Sequence, residues 1–167
     1  MQFSAAEVAE LLETTPAAVN SALQRARARL AEVAPDEGTV AEPNDAERRE
    51  LLDRYCAALE NGDIAALTEL LQADVRLEMP PMPVWFAGRD AVLRFLSTRA
   101  ITKAGEVAMV ATGANGQPAV AEYRRTENGV MRAHSIHVLT TSAAGIAAIV
   151  VFLDPGLFGV FGMPATR

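Results

Sequence analysis

The chain has 167 residues, half of them hydrophobic, and 15 Lys and Arg against 21 Asp and Glu give a net charge of −6. That length suits one domain or two small ones with a real apolar core, and the acidic balance excludes nucleic-acid binding through bulk charge. The single cysteine, Cys56, excludes an internal disulfide; no apolar run approaches the roughly 20 residues that span a bilayer and no signal-peptide pattern opens the chain, so the sequence predicts a cytoplasmic protein with no membrane partner.

The first predicted elements are two helices and a tight turn within Phe3 to Leu30. Ser4 and Glu7 have the spacing of a capping box, and Val8, Leu11 and Leu12 share a helical face. Glu13-Thr14 reads as the turn. Thr15 caps the next helix and Pro16 occupies its first position, where a missing N–H costs nothing. Val19, Leu23, Ala26 and Leu30 give that helix one apolar stripe, with Asn20, Gln24, Arg25, Arg27 and Arg29 largely off it. Met1 to Ala31 is neutral, so the body behind it carries the whole negative charge. The spacing fits a helix-turn-helix whose second helix enters a major groove, and equally an ordinary helical hairpin.

Residues 33–45, VAPDEGTVAEPND, contain prolines, a glycine and acids and read as a linker. Asp45 then caps a helix to Glu60 with Leu51, Leu52, Tyr55, Cys56 and Leu59 inward; Cys56 reads as an inert buried thiol. Asn61-Gly62 ends it. Asp63 caps a second helix with Ile64, Leu67, Leu70 and Leu71 inward. Val75 to Met79 alternates as a strand, and Pro80, Pro81 and Pro83 forbid further pairing. Asp90 caps a third helix carrying Val92, Leu93, Phe95 and Leu96. Four strands follow: 107–112, 118–125, 130–141 and 146–153, separated by Asn115-Gly116, Asn128-Gly129 and Ala143-Ala144-Gly145. The tail from Asp154 is expected to form one helical turn over an apolar patch. The order is α+β, with three helices on a curved, mostly antiparallel sheet that closes into a cone.

Two stretches resemble known families. SAAEVAELL followed by AAVNSALQRARARL closely resembles the last two helices of region 4 of extracytoplasmic-function sigma factors, which recognise the −35 promoter element. RYCAALENGDIAALTELLQADVRLEMPP followed by WFAGRDAVLRFL is similar to the start of SnoaL-like proteins, of the polyketide-cyclase and ketosteroid-isomerase superfamily. Together they imply the C-terminal portion of a sigma factor: a partial helix-turn-helix over 1–32, a linker over 33–45, and a SnoaL-like cone over 46–167 that regulates transcription initiation. The implied partners are promoter DNA and the RNA polymerase core, with room for a small apolar ligand and a homodimer. The residues implied to face DNA are Thr15, Ala17, Asn20, Ser21, Gln24, Arg25 and Arg27. The resemblance also implies further helices before Phe3, without which the hairpin's apolar stripe is bare. Leaving it wet costs about 1.5–3 kcal/mol per large side chain, so the hairpin is expected to dock on the cone, pair with another copy, or fray.

The alternative function is a small cyclase- or isomerase-type enzyme, or a ligand-binding or dimerisation module. Isomerase chemistry needs a carboxylate base and hydrogen-bond donors in an apolar pocket. Tyr55 matches the family's donor tyrosine, but the base position is Met79, whose thioether cannot accept a carbon-bound proton; Glu78 beside it points to the opposite face. The reading therefore leans away from an enzyme. His137 lies near the second donor's place, and His134, three residues away, is expected to face the other side, so no metal site and no cofactor are predicted. Tyr55, Met79, Met82, Trp85, Phe86, Tyr123, Met131, His137 and Phe152 are the candidate pocket wall, a methionine-rich lining suited to an apolar ligand.

Overall fold

The structure, a computed structural model, describes residues 3–33, 45–100 and 103–167. It divides into two compact units, Met1–Val40 and Ala41–Arg167.

In the first unit α1 (Ala5–Leu11) and α2 (Pro16–Val33) are joined by four residues. The capping box forms: Ser4 N–H donates to Glu7 Oε2 at 2.7 Å, and Glu7 N–H donates back to Ser4 Oγ at 3.3 Å. Thr15 Oγ1 accepts from Ala18 N–H at 3.2 Å, capping α2. Glu13 takes the left-handed conformation at φ 50° that closes the turn. Among the described residues of this unit only Ala9 and Val19 are buried, so the expected stripe reaches the interior at Val19 alone; Leu23, Ala26 and Leu30 are exposed.

The second unit begins with α3 (Asp45–Asn61) and α4 (Ile64–Leu70), the latter capped by Asp63 Oδ1 on Ala66 N–H. The expected linker lies outside the described residues except for Val33 and Asp45, which belong to the flanking helices, and the expected cap role of Asp45 rests on a side chain outside that description. Then come β1 (Leu71–Glu78), β2 (Trp85–Ala87), α5 (Arg89–Phe95) and a wide π-helical turn, Leu96–Ala100. The remaining strands are β3 (Val107–Ala114), β4 (Gln117–Arg125), β5 (Met131–Ser142) and β6 (Gly145–Phe152), and the expected single turn in the tail is α6 (Leu157–Val160).

Three local readings change. The strand expected from Val75 starts at Leu71, because that residue pairs with Ile146 of β6 instead of continuing α4. Trp85 and Phe86 form a short edge strand against Glu78 and Leu77. Asp90 does not cap α5: Gly88 holds the cap position, and Asp90 sits in the first turn, where a carboxylate favours the helix dipole.

The strands make one six-stranded sheet in the order β2-β1-β6-β5-β4-β3. β1 and β6 run parallel and all other neighbours antiparallel. One face packs on the helices: Tyr55, Leu59, Leu67, Val120, Leu139 and Ile149 belong to a single buried cluster. The other face carries a smaller cluster of Ala121, Tyr123, Ala133 and Ile136, covered by Phe158 of α6. Tyr123 and Phe158 meet edge to face at 5.0 Å. The β5–β6 turn needs its glycine: Gly145 has φ 114°, and a Cβ there would lie 2.5 Å from the Leu70 carbonyl oxygen.

Candidate functional site

In the helical unit the seven residues expected to face DNA are all exposed. Ala17, Asn20, Ser21, Gln24 and Arg27 recur at three- and four-residue steps and so share one face of α2. Arg25 Nη1 donates to Ser21 Oγ at 2.7 Å, which holds that guanidinium along the helix. Arg29 instead pairs with Glu32 at 3.1 Å, on an exposed surface where such a pair contributes little. The helix presents two amides and two arginines on a short-side-chain surface, a donor-rich set suited to base edges and phosphates.

The sheet unit holds a cavity of about 590 Å³ between the helix-facing side of the sheet and α3 and α5. Of the nine expected wall residues, Tyr55, Met79, Met82, Phe86 and His137 line it. Four do not. Tyr123 and Met131 belong to the opposite face of the sheet, in the cluster under α6, and Phe152 lines a separate groove there. Strand alternation sends Tyr123 away from its neighbours Glu122 and Arg124, and it donates instead to the Pro164 carbonyl at 3.0 Å. Trp85 is 71% exposed on the β2 edge and lines a surface groove with Pro80 and Pro83.

The polar floor of the cavity is a hydrogen-bonded group that the sequence reading missed at its centre, Glu122. This buried carboxylate accepts from Ser135 Oγ and from His137 Nε2, the latter at 3.0 Å, through Oε2. Its other oxygen accepts from Arg124 Nε at 2.6 Å. On the other side of the ring His137 Nδ1 lies 3.0 Å from Tyr55 Oη, so the imidazole bridges the carboxylate and the phenol. Burial alone would push Glu122 up. The hydrogen bond and charge of His137, the charge of Arg124 and the Ser135 hydroxyl outweigh it and hold the carboxyl far below the usual range. Tyr55 is pushed well above the usual phenol value, by burial first and by the Glu122 charge second, so its proton stays on oxygen. Burial also pushes the Cys56 thiol up to about 12, consistent with an inert group.

His134 also lines the cavity, contrary to the expectation from its offset of three from His137. The cause is a β-bulge. Glu122 pairs with Ser135 and Tyr123 with Ala133, so His134 is an extra residue without a partner across the ladder. Two consecutive side chains, His134 and Ser135, therefore turn to the same side. Burial lowers the His134 pKa, the Glu122 charge opposing and those of Arg124 and His137 adding to the shift. Among the described residues no cluster of His, Cys, Asp and Glu is placed to hold a metal ion, and no helix is long and apolar enough to cross a membrane.

A cone of this topology with a polar-floored cavity is the architecture of the NTF2-like proteins, and solved structures agree in fold. An NTF-2 like protein of unknown function from Burkholderia xenovorans LB400 superposes with TM-score 0.53 at 14% identity, covering 68% of this chain and 91% of that one. A putative ketosteroid isomerase from Kribbella flavida DSM 17836 gives 0.51 at 20%, covering 64% and 77%. The family described as SnoaL-like domain matches residues 52–150, and sigma-70, region 4 matches residues 1–30. The chain belongs to the SnoaL-like family, with a region 4 segment ahead of that domain. It is 39% identical over 166 residues to the ECF RNA polymerase sigma factor SigG of Mycobacterium tuberculosis, covering 98% of this chain and 45% of that protein. The chain thus spans just under half the length of the curated relatives it matches.

Proposed function

We propose that this chain works as part of an extracytoplasmic-function sigma factor in the cytoplasm. The α1–α2 pair contacts the −35 promoter element, and the SnoaL-like unit adjusts transcription initiation by the RNA polymerase core. The observation that carries the reading is the α2 face: Asn20, Gln24, Arg25 and Arg27 stand exposed on a helix whose start is fixed by the Thr15 cap. The identity with a sigma factor across nearly the whole chain supports it. Because the chain's net charge is −6, DNA affinity must come from this face and be strongly salt-dependent. Fluorescence anisotropy with a −35-element duplex tests it. Replacing Arg25 and Arg27 by Ala should weaken binding at least tenfold and reduce the salt slope by about 2. Equal affinity for scrambled duplex and unchanged binding by the double variant would sink the proposal. The regulatory half is tested by promoter-specific transcription from a full-length sigma factor containing this chain, with and without 46–167. An unaltered rate and promoter preference would refute it.

One observation favours a second reading, a cyclase- or isomerase-type enzyme: a buried carboxylate, a histidine and a tyrosine are aligned in the cavity. Their geometry serves this reading poorly. The atom a substrate would need as base, His137 Nδ1, is already hydrogen-bonded to Tyr55 Oη at 3.0 Å. Turnover of a polyketide- or steroid-like ketone that disappears in Tyr55→Phe and His137→Ala would establish the enzyme.

A further inference from the structure

We propose that the cavity is a sensing site for an uncharged, mostly apolar molecule bearing one carbonyl or hydroxyl, and that His134 is the residue that selects it. This rests on the regulatory reading of the SnoaL-like unit above. The wall is apolar: Leu77, Met79, Phe86, Phe95, Leu96 and Val151 surround a space of about 590 Å³, within the usual range for small-molecule pockets. Phe86 and Phe95 stack at 4.7 Å and give one side a flat aromatic surface.

The floor is already satisfied. Tyr55, His137 and Ser135 bond to one another or to Glu122, and the Glu122 charge is balanced by Arg124 at 2.6 Å. A ligand carboxylate would meet the Glu122 charge and a ligand ammonium the Arg124 charge, each desolvated and unpaired, which is costly. His134 differs from the floor residues. It is half-buried at the cavity wall, and its side chain makes no hydrogen bond to any other described residue. Kept neutral by burial, its ring offers one N–H donor and one acceptor nitrogen. A carbonyl can take the first and a hydroxyl the second. The bulge at Glu122/Tyr123 supplies this group without disturbing the floor, since Ser135 and His137 keep their places.

The test is equilibrium dialysis of the full chain at pH 7.5 against naphthalene, 2-acetylnaphthalene, 2-naphthol and 2-naphthoate. The ketone and the alcohol should bind about tenfold tighter than naphthalene, the gain of one hydrogen bond in an apolar site, and the carboxylate more weakly than naphthalene. His134→Phe, which keeps a ring of similar size, should leave naphthalene binding unchanged and erase the tenfold advantage. Met79→Trp should fill the cavity and abolish binding of all four, with a melting curve confirming that the variant is folded. Naphthoate binding as tightly as the ketone, an advantage that survives His134→Phe, binding that survives Met79→Trp, or no probe binding at all would each overturn the proposal. The regulatory reading fails separately: probes that discriminate as expected, with transcription indifferent to removal of 46–167, would leave a ligand site without a regulatory role.

Discussion

In the helical unit Ala9 and Val19 are the buried residues among those described, whereas in the sheet unit Tyr55, Leu67, Leu77, Leu139 and Ile149 are almost wholly removed from water. The first is held by hydrogen bonds at its ends: the capping box at Ser4 and Glu7, the Thr15 cap, and Thr14 N–H on the Ala9 carbonyl at 2.9 Å. The second is held by apolar packing on both faces of a sheet. Local hydrogen bonds fix a shape but supply little free energy in water. A pair of helices without a core lacks the tertiary packing that supplies most helical stability, and Leu11, Leu12 and Leu30 remain more than half exposed. A unit of this kind is shaped before it is stabilised.

Mutations of matched size should widen this contrast. Leu139→Ala removes a side chain sealed in the core cluster and should cost about 2–5 kcal/mol in denaturant unfolding. Tyr55→Phe leaves His137 Nδ1 without its partner in a buried setting and should cost about 1–3 kcal/mol. Ser4→Ala should remove about 1 kcal/mol from α1 alone, seen as faster amide exchange over 5–11 with β4 and β5 unchanged. Leu11→Ala, at 69% exposure, should shift stability by no more than about 0.5 kcal/mol. A Leu11→Ala effect as large as that of Leu139→Ala would break the comparison.

Acid should act on the sheet unit. The pKa of His134 is lowered on folding, so the native state binds fewer protons than the unfolded chain as pH falls below about 6.5, and stability drops in that window. Glu122 is lowered from about 4.5, so its contribution is complete above that pH and is lost progressively below it. The melting temperature should therefore fall in two stages between pH 7 and pH 3. His134→Phe should flatten the upper stage and Glu122→Gln the lower.

Much of this was legible because local chemistry decided it. Ser4 with Glu7, Thr15 with Pro16, and Asn115-Gly116 each specify a turn or cap from adjacent residues alone. The family wording of 54–96 carried the cone. What escaped reading depends on partners far along the chain. A sheet buried on both faces gives alternation without saying which face holds the cavity, so Tyr123, Met131 and Phe152 were assigned to the wrong side. Glu122 did leave a signal: it stands two residues after Val120, on the same face of the strand, and a lone carboxylate there demands partners. Its partner Ser135 becomes visible only with the β4–β5 register. The bulge at His134 left no mark, because no glycine or proline announces it.

That one supernumerary residue has a consequence for how the cavity can change. Removing His134 would leave Ala133 directly beside Ser135, each still on its own side of the sheet and opposite the same β4 partner. Deleting a single codon would thus strip the wall of its donor while sparing the packing under α6 and the bonds around Glu122. Strand length at this point is a dial for chemistry, turned independently of the scaffold that surrounds it.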